Sequence, residues 1–296
     1  MMGVLSKKVV FIMSETPFVK LHWSVDHSYH HSPFADFTGE LLRRLGGYFR
    51  DADGQAAAKD FVEKTCCYAI LSNFWSGYHG DDRGLPIGEA AVTAKKEEGG
   101  WLYGVTVDNS TRGERLECRF QCADNPRRTL QGRWTMEVQY PSTVHYIGPD
   151  MYRGSRSSGR VAEGEGINCL MSAREGMAEL PLGEIPDTYP ITCSWALPDS
   201  LPLLAALPDS SALQEEFSIL EDLEYLRTGS RFRRLETWVL PVGGTPRTLS
   251  GYCLSGTGSP PSYWWVDGAG NTVLISTIFS TYILESAERR GGAARG

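Results

Sequence analysis

The sequence predicts a mostly β chain of the α+β class, an antiparallel meander closing into a barrel-like or strongly curved sheet, with N-terminal helices and one internal helix. Strict alternation is the first observation behind this. Trp101, Tyr103, Val105 and Val107 alternate with Leu102, Gly104 and Thr106; Leu116, Cys118, Phe120 and Cys122 with Glu117, Arg119 and Gln121; Trp134, Met136, Val138 and Tyr140 with Thr135, Glu137 and Gln139. Successive strand side chains point to opposite faces, so each run has one apolar and one polar face. The second observation is the connections, Asp108–Gly113 and Asp124–Pro126, which are short and polar. The third is that no crossover helix separates the runs, which favours a barrel over any α/β arrangement.

The elements follow in order. Ser32-Pro33 is a helix start, with serine as N-cap and proline in the first turn, and Phe34, Phe37, Leu41, Leu42, Leu45 and Tyr48 recur at helical spacing after it. A second helix is expected from about Gln55 to Leu71, burying Phe61, Val62, Cys66, Ala69 and Ile70. In this reading 1–296 is a single domain, helical over about 1–85, β-rich over about 86–286, with a disordered basic tail at 287–296. The Tyr152–Arg160 stretch reads as a loop, and a proline-rich connection from Pro181 to Pro208 holds a short strand at Ile191–Leu197. Ser211-Ala212-Leu213-Gln214 fits a capping box opening a helix to about Leu226. Strands return at Phe232–Leu240, Thr248–Leu254 and Tyr263–Val266, then a turn at Asp267–Asn271. Thr272–Leu284 reads as one more strand, with Val273, Ile275, Thr277, Phe279, Thr281 and Ile283 on one face.

Composition bounds the function. The 296 residues are 41% hydrophobic and 22% charged, ordinary for a globular chain, and a net charge of −7 argues against a nucleic-acid partner. No apolar stretch reaches the roughly 20 residues of a membrane helix. Seven irregularly spaced cysteines suggest a reduced, cytoplasmic protein. The expected partner is a small aromatic substrate, with no nucleic acid and no membrane, and a homodimer is compatible with the chain.

Three groups of residues could carry chemistry. His22, His27, His30 and His31 form a cluster, but their spacing is irregular and precedes a helix start, so no metal is expected there. The segment from Trp75 to Glu89 concentrates His79, Asp81, Asp82, Arg83 and Glu89 where helices hand over to sheet. Glu89 shares a strand face with Ile87, Ala91 and Thr93, and burial among such neighbours would raise its pKa toward that of a general acid/base, with His79 orienting it. The aromatic residues, Trp101, Tyr103 and Trp134 foremost, could stack a flat ligand. There is no nucleophile elbow, phosphate loop or dinucleotide fingerprint, and no cofactor is expected.

The alternating meander and the Val266–Val273 hairpin resemble a lipocalin-type barrel, including the bilin-lyase-like proteins. His79 followed ten positions later by Glu89 on a strand is similar to the bacterial Pictet–Spengler synthases that form β-carbolines from tryptophan and an aldehyde. That resemblance implies Glu89 as acid/base, His79 as its helper, and arginine and serine contacts to substrate. The arginine position is not matched: Lys64 is the nearest upstream basic residue, Arg83 lies between, and Ser200 is only approximately placed. The leading expectation is therefore a cofactor-independent acid/base enzyme condensing or cyclising an aromatic amine. The alternative is a non-catalytic barrel carrying a hydrophobic or tetrapyrrole-like ligand, and a histidine-bound metalloenzyme is the third.

Overall fold

The computed structural model describes residues 38–52, 61–72, 85–109, 114–139, 159–165, 168–173, 176–181, 190–222, 225–242, 245–257, 259–277 and 280–291. One sheet of fifteen strands organises them, in the order β8-β7-β6-β5-β4-β3-β2-β1-β15-β14-β13-β12-β11-β10-β9. The meander comprises β1 (Phe61–Ser72), β2 (Pro86–Glu97), β3 (Gly100–Asn109), β4 (Glu114–Ala123) and β5 (Leu130–Gln139). It continues as β6 (Gly159–Glu165), β7 (Asn168–Ala173) and β8 (Gly176–Pro181). The second half holds β9 (Ile191–Cys193), β10 (Phe217–Glu221), β11 (Tyr225–Val242), β12 (Thr245–Gly256), β13 (Ser259–Val266), β14 (Thr272–Ser276) and β15 (Ser280–Gly291). The halves are joined by antiparallel pairing of β1 with β15, and the far edges meet where Thr129 bridges Thr192. Thr192 Oγ1 adds a bond of 2.9 Å to the Arg128 carbonyl. Twelve strands, β1–β5 with β9–β15, thus form a nearly closed barrel, and β6–β8 extend from β5.

The alternation at 101–138 holds as predicted: Trp101, Tyr103, Val105, Cys118, Phe120, Cys122, Trp134, Met136 and Val138 are all buried. Exposed Thr106, Glu117, Arg119 and Glu137 lie on the opposite face, a band of charge and polarity where a transmembrane barrel would carry lipid-facing apolar residues. No helix among the described residues is long and apolar enough to cross a membrane.

Several elements differ from expectation. The predicted first helix is present as α1 (Thr38–Ala52), while its proposed Ser32-Pro33 cap lies outside the described residues. The expected helix over 55–71 is instead β1. Its apolar residues fit either period, but Val62, Thr65, Cys66, Cys67, Tyr68 and Ile70 are β-prone, and two neighbouring strands supply their hydrogen bonds. The N-terminal part is therefore not uniformly helical. The expected strand at 191–197 stops at Cys193; a single 3-10 turn follows, and Leu197–Ala205 is helix α2, with Pro198 in its first turn. The capping box opens only one 3-10 turn (Ser210–Leu213), since the apolar run Phe217–Leu220 is drawn into the sheet as β10. Arg160 belongs to β6, and residues 287–291 complete β15, so the tail is ordered that far.

The core has two layers. α1 packs against β15 and β11, with buried Leu41, Leu45 and Tyr48 meeting the face that carries Trp238 and Trp265, whose rings are 4.2 Å apart. α2 lies inside the ring. Its Leu197, Leu201 and Leu204 pack with Phe232, Tyr252, Trp264 and Ile275 from β11 to β14, while its polar groups reach β1 and β3 on the other side. The helix divides the lumen into a sealed polar end and a cavity.

Candidate ligand site

The sealed end is built on Asp199 of α2. Its carboxylate accepts from Lys64 Nζ at 2.6 Å and from the Tyr103 hydroxyl at 3.2 Å. Lys64 is 4% exposed. Burial opposes charge on both groups, but the mutual attraction wins, holding the Lys64 ammonium above and the Asp199 carboxyl below its ordinary pKa. Ser200 donates to the Pro126 carbonyl at 2.9 Å, and Thr272 donates to that of Pro198 at 2.7 Å. These bonds tie α2 to opposite sides of the barrel. Beside them, Trp101 Nε1 donates to Asp124 at 2.7 Å, with the Arg128 guanidinium over the ring at 4.6 Å. Lys96 and Trp101, bonding to Asp124, hold its carboxyl down to about 2.

On the other side of α2 is a cavity of about 380 Å³. Tyr68, Val92, Trp195, Trp264, Ile275 and Tyr282 form its walls, and Leu197 and Pro198 of α2 its floor. Glu221, Asp222 and Arg227 lie where β10 turns into β11; Arg227 NH1 stands 3.6 Å from Glu221 Oε2. Asp222 and Pro260 are exposed, which puts this end toward solvent. Ile275 and Tyr282 come together because the Thr272–Leu284 stretch is two strands. Thr277 N–H donates to the Ser280 carbonyl at 2.9 Å in the turn between β14 and β15, and Ile275 pairs with Tyr282 across it. The single strand expected from alternation would have put them on opposite faces.

The predicted site residues divide sharply. Lys64, Ser200, Trp101 and Tyr103 converge at the sealed end, as a polar lock on α2 and not as cavity lining. Trp134 is buried in the same lumen, 1% exposed. Glu89 is not desolvated. It sits exposed on β2 between Ala69 of β1 and Asp108 of β3, because the smaller set Gly88, Ala90, Val92 and Ala94 takes the inward face. His79 and Arg83 lie outside the described residues, as do His22, His27, His30 and His31; among the described residues no group of three or more His, Cys, Asp or Glu could hold a metal ion. Sequence reasoning missed Tyr68, Tyr282 and the Glu221–Arg227 pair, which no local pattern marks. Trp195 and Trp264 were visible only as members of the aromatic stock.

No protein-family model and no curated protein matches the sequence. Among solved structures the chain is similar to a beta-barrel-like protein of the domain of unknown function DUF1849 from Brucella abortus. The two share 8% identity and a TM-score of 0.43, over 78% of this chain and 98% of that one.

Proposed function

We propose that this protein is a barrel that binds a small, mainly apolar ligand, as a carrier and not as an acid/base catalyst. The observation that carries this is the cavity itself. At about 380 Å³, walled by aromatic and aliphatic side chains with charged groups confined to one end, it matches the size and character of small-molecule sites, roughly 300–1,000 Å³. The condensing-enzyme reading required a desolvated carboxylate at Glu89. That residue is exposed on the outer face and contributes nothing to the cavity wall. Lys64, the internal amine, is ion-paired and charged, which removes the lone pair that imine chemistry would need.

Titration with the neutral fluorescent probe N-phenyl-1-naphthylamine tests the proposal. One molecule should bind per chain with enhanced emission. Val92→Trp, which places an indole in the cavity, should weaken binding at least ~tenfold without loss of cooperative unfolding. Absence of binding, or binding that is indifferent to both Val92→Trp and Ile275→Trp, would refute the proposal.

A further inference from the structure

The floor of the cavity is held by a bond that α2 cannot make for itself. In a helix the carbonyl of Pro198 would accept from the N–H four residues on, but that residue is Pro202, which has none. Pro198 is buried, and the donor to its carbonyl comes from another element, Thr272 Oγ1 of β14 at 2.7 Å. The main-chain oxygen of the same Thr272 accepts from the Tyr68 hydroxyl at 3.1 Å. Tyr68 belongs to the wall of the cavity and Pro198 to its floor, whereas Thr272, 1% exposed, is not part of the lining. One residue behind the cavity therefore sets where wall and floor meet.

Thr272 is itself a fixed point. It follows the turn Asp267–Asn271, in which Asp267 Oδ1 accepts the N–H groups of Ala269 and Asn271 at 2.9 and 2.8 Å. Tyr48 of α1 donates to Asp267 Oδ2 at 2.6 Å and accepts from Asn271 Nδ2 at 2.8 Å, so a second element braces the turn. On the far side of the same helical turn, Asp199 and Ser200 are bonded to Lys64 and to the Pro126 carbonyl. Buried, directional bonds on both sides keep the floor from sliding as a purely apolar contact could. A guest whose inner end does not match that corner has to displace a packed element, the cost met in an overpacked core.

Resting on the ligand-binding reading above, we infer that Thr272 is a positioning residue for the cavity, and that the site selects rigid ring compounds by shape, separating isomers of equal apolar area. Thr272 acts through the carbonyl that Pro202 leaves without a donor in its own helix, and not by touching the guest.

N-phenyl-1-naphthylamine and N-phenyl-2-naphthylamine contain the same atoms and differ only in outline, and fluorescence titration gives a dissociation constant for each. In the wild type the two constants should differ at least ~fivefold, the lower end of what misfit in a packed site costs. Thr272→Val keeps the volume but removes the hydroxyl. It should lower the urea midpoint, since the Pro198 carbonyl is left buried without a donor. Thr272→Val/Pro202→Ala returns an N–H to the helix, so about half or more of the lost midpoint should come back. Selectivity should not return with it. In the double variant the isomer ratio should fall below about half its wild-type value, because the floor is no longer tied to β14. Thr272→Ser keeps the hydroxyl and should retain the ratio. Because the ratio is taken within each protein, a general loss of affinity cancels. A wild-type ratio below ~fivefold, with binding intact, overturns selection by shape. A ratio that survives in the double variant, or is lost in Thr272→Ser, overturns the positioning role of the Thr272 hydroxyl. A midpoint that does not recover on adding Pro202→Ala overturns the link to Pro202. If neither isomer binds the wild type, the inference and the ligand-binding reading fall together.

Discussion

Asp199 shows how one residue can organise a lumen. Its carboxylate satisfies both Lys64 and Tyr103, and breaking such a buried pair from one side is costlier than replacing it whole. Asp199→Ala should destabilise the fold by about 3–5 kcal/mol in urea unfolding, and Lys64→Met/Asp199→Leu should recover most of the loss. The pH dependence should also change sign. In the wild type Lys64 is raised above 10.5, so its contribution is complete below that pH and is lost as pH rises through the folded value. In Asp199→Ala burial, the largest influence on Lys64, is no longer offset by the carboxylate and lowers its pKa, with Arg289 acting in the same direction and Cys66 against it, so stability should instead rise with pH up to about 10.5. A flat or falling profile across the alkaline range would contradict this account. Lys64 and Ser200 were readable as polar residues of interest, yet their partnership was not. The bond joins positions 135 residues apart, and nothing local in either segment signals it.

At the scale of the strand, alternation proved legible wherever both faces differ in polarity. Residues 101–138 were read correctly for that reason, since Arg119 and Glu137 fix which side faces water. On β2 the rule faltered because Gly88, Ala90, Ala91, Val92, Thr93 and Ala94 are all small, and size rather than polarity decides the inward set. β1 was misread because it is buried toward its C-terminal end on both faces, which erases period 2. Two glycines of β3 give a test of how closely strands approach. A Cβ on Gly100 would lie 2.1 Å from the Cys122 carbonyl oxygen, whereas one on Gly104 would meet nothing within 4 Å. Gly100→Ala should therefore cost about 1–3 kcal/mol, and Gly104→Ala should be neutral or slightly stabilising. Equal chemical-denaturation midpoints for the two variants would show that the strand separation is not limiting.

Taken as a whole, the barrel was predictable and its contents were not. Meander, short turns and absence of crossovers together imply closure, but α2 came from a proline-rich stretch without helical periodicity, and it is α2 that divides the lumen. The cavity beside it should make stability responsive to a guest. If a probe binds only the folded chain, adding it at 100 times its dissociation constant should stabilise by about 2.7 kcal/mol and raise the melting temperature by several degrees. The same addition to Val92→Trp should have little effect. A wild-type melting curve unmoved at saturation would mean that the probe has no preference for the folded chain and would contradict a site formed by the fold.

The pairing of β1 with β15 carries a consequence for how the molecule is made. Phe61 faces Gly291 and Ser72 faces Ser280, so the seam joins positions more than 200 residues apart. During synthesis β1 emerges more than 200 residues ahead of β15, and the edge that β15 will cover has no such partner until that strand follows. For that interval the nascent chain is an open sheet with a bare strand, a template for pairing with another chain. Folding must then be slow and late, governed by the meeting of distant ends. Chains released before residue 280 should accumulate as aggregates even though they contain every residue of α2 and its polar lock, whereas chains ending just past Gly291 should be recovered as monodisperse protein.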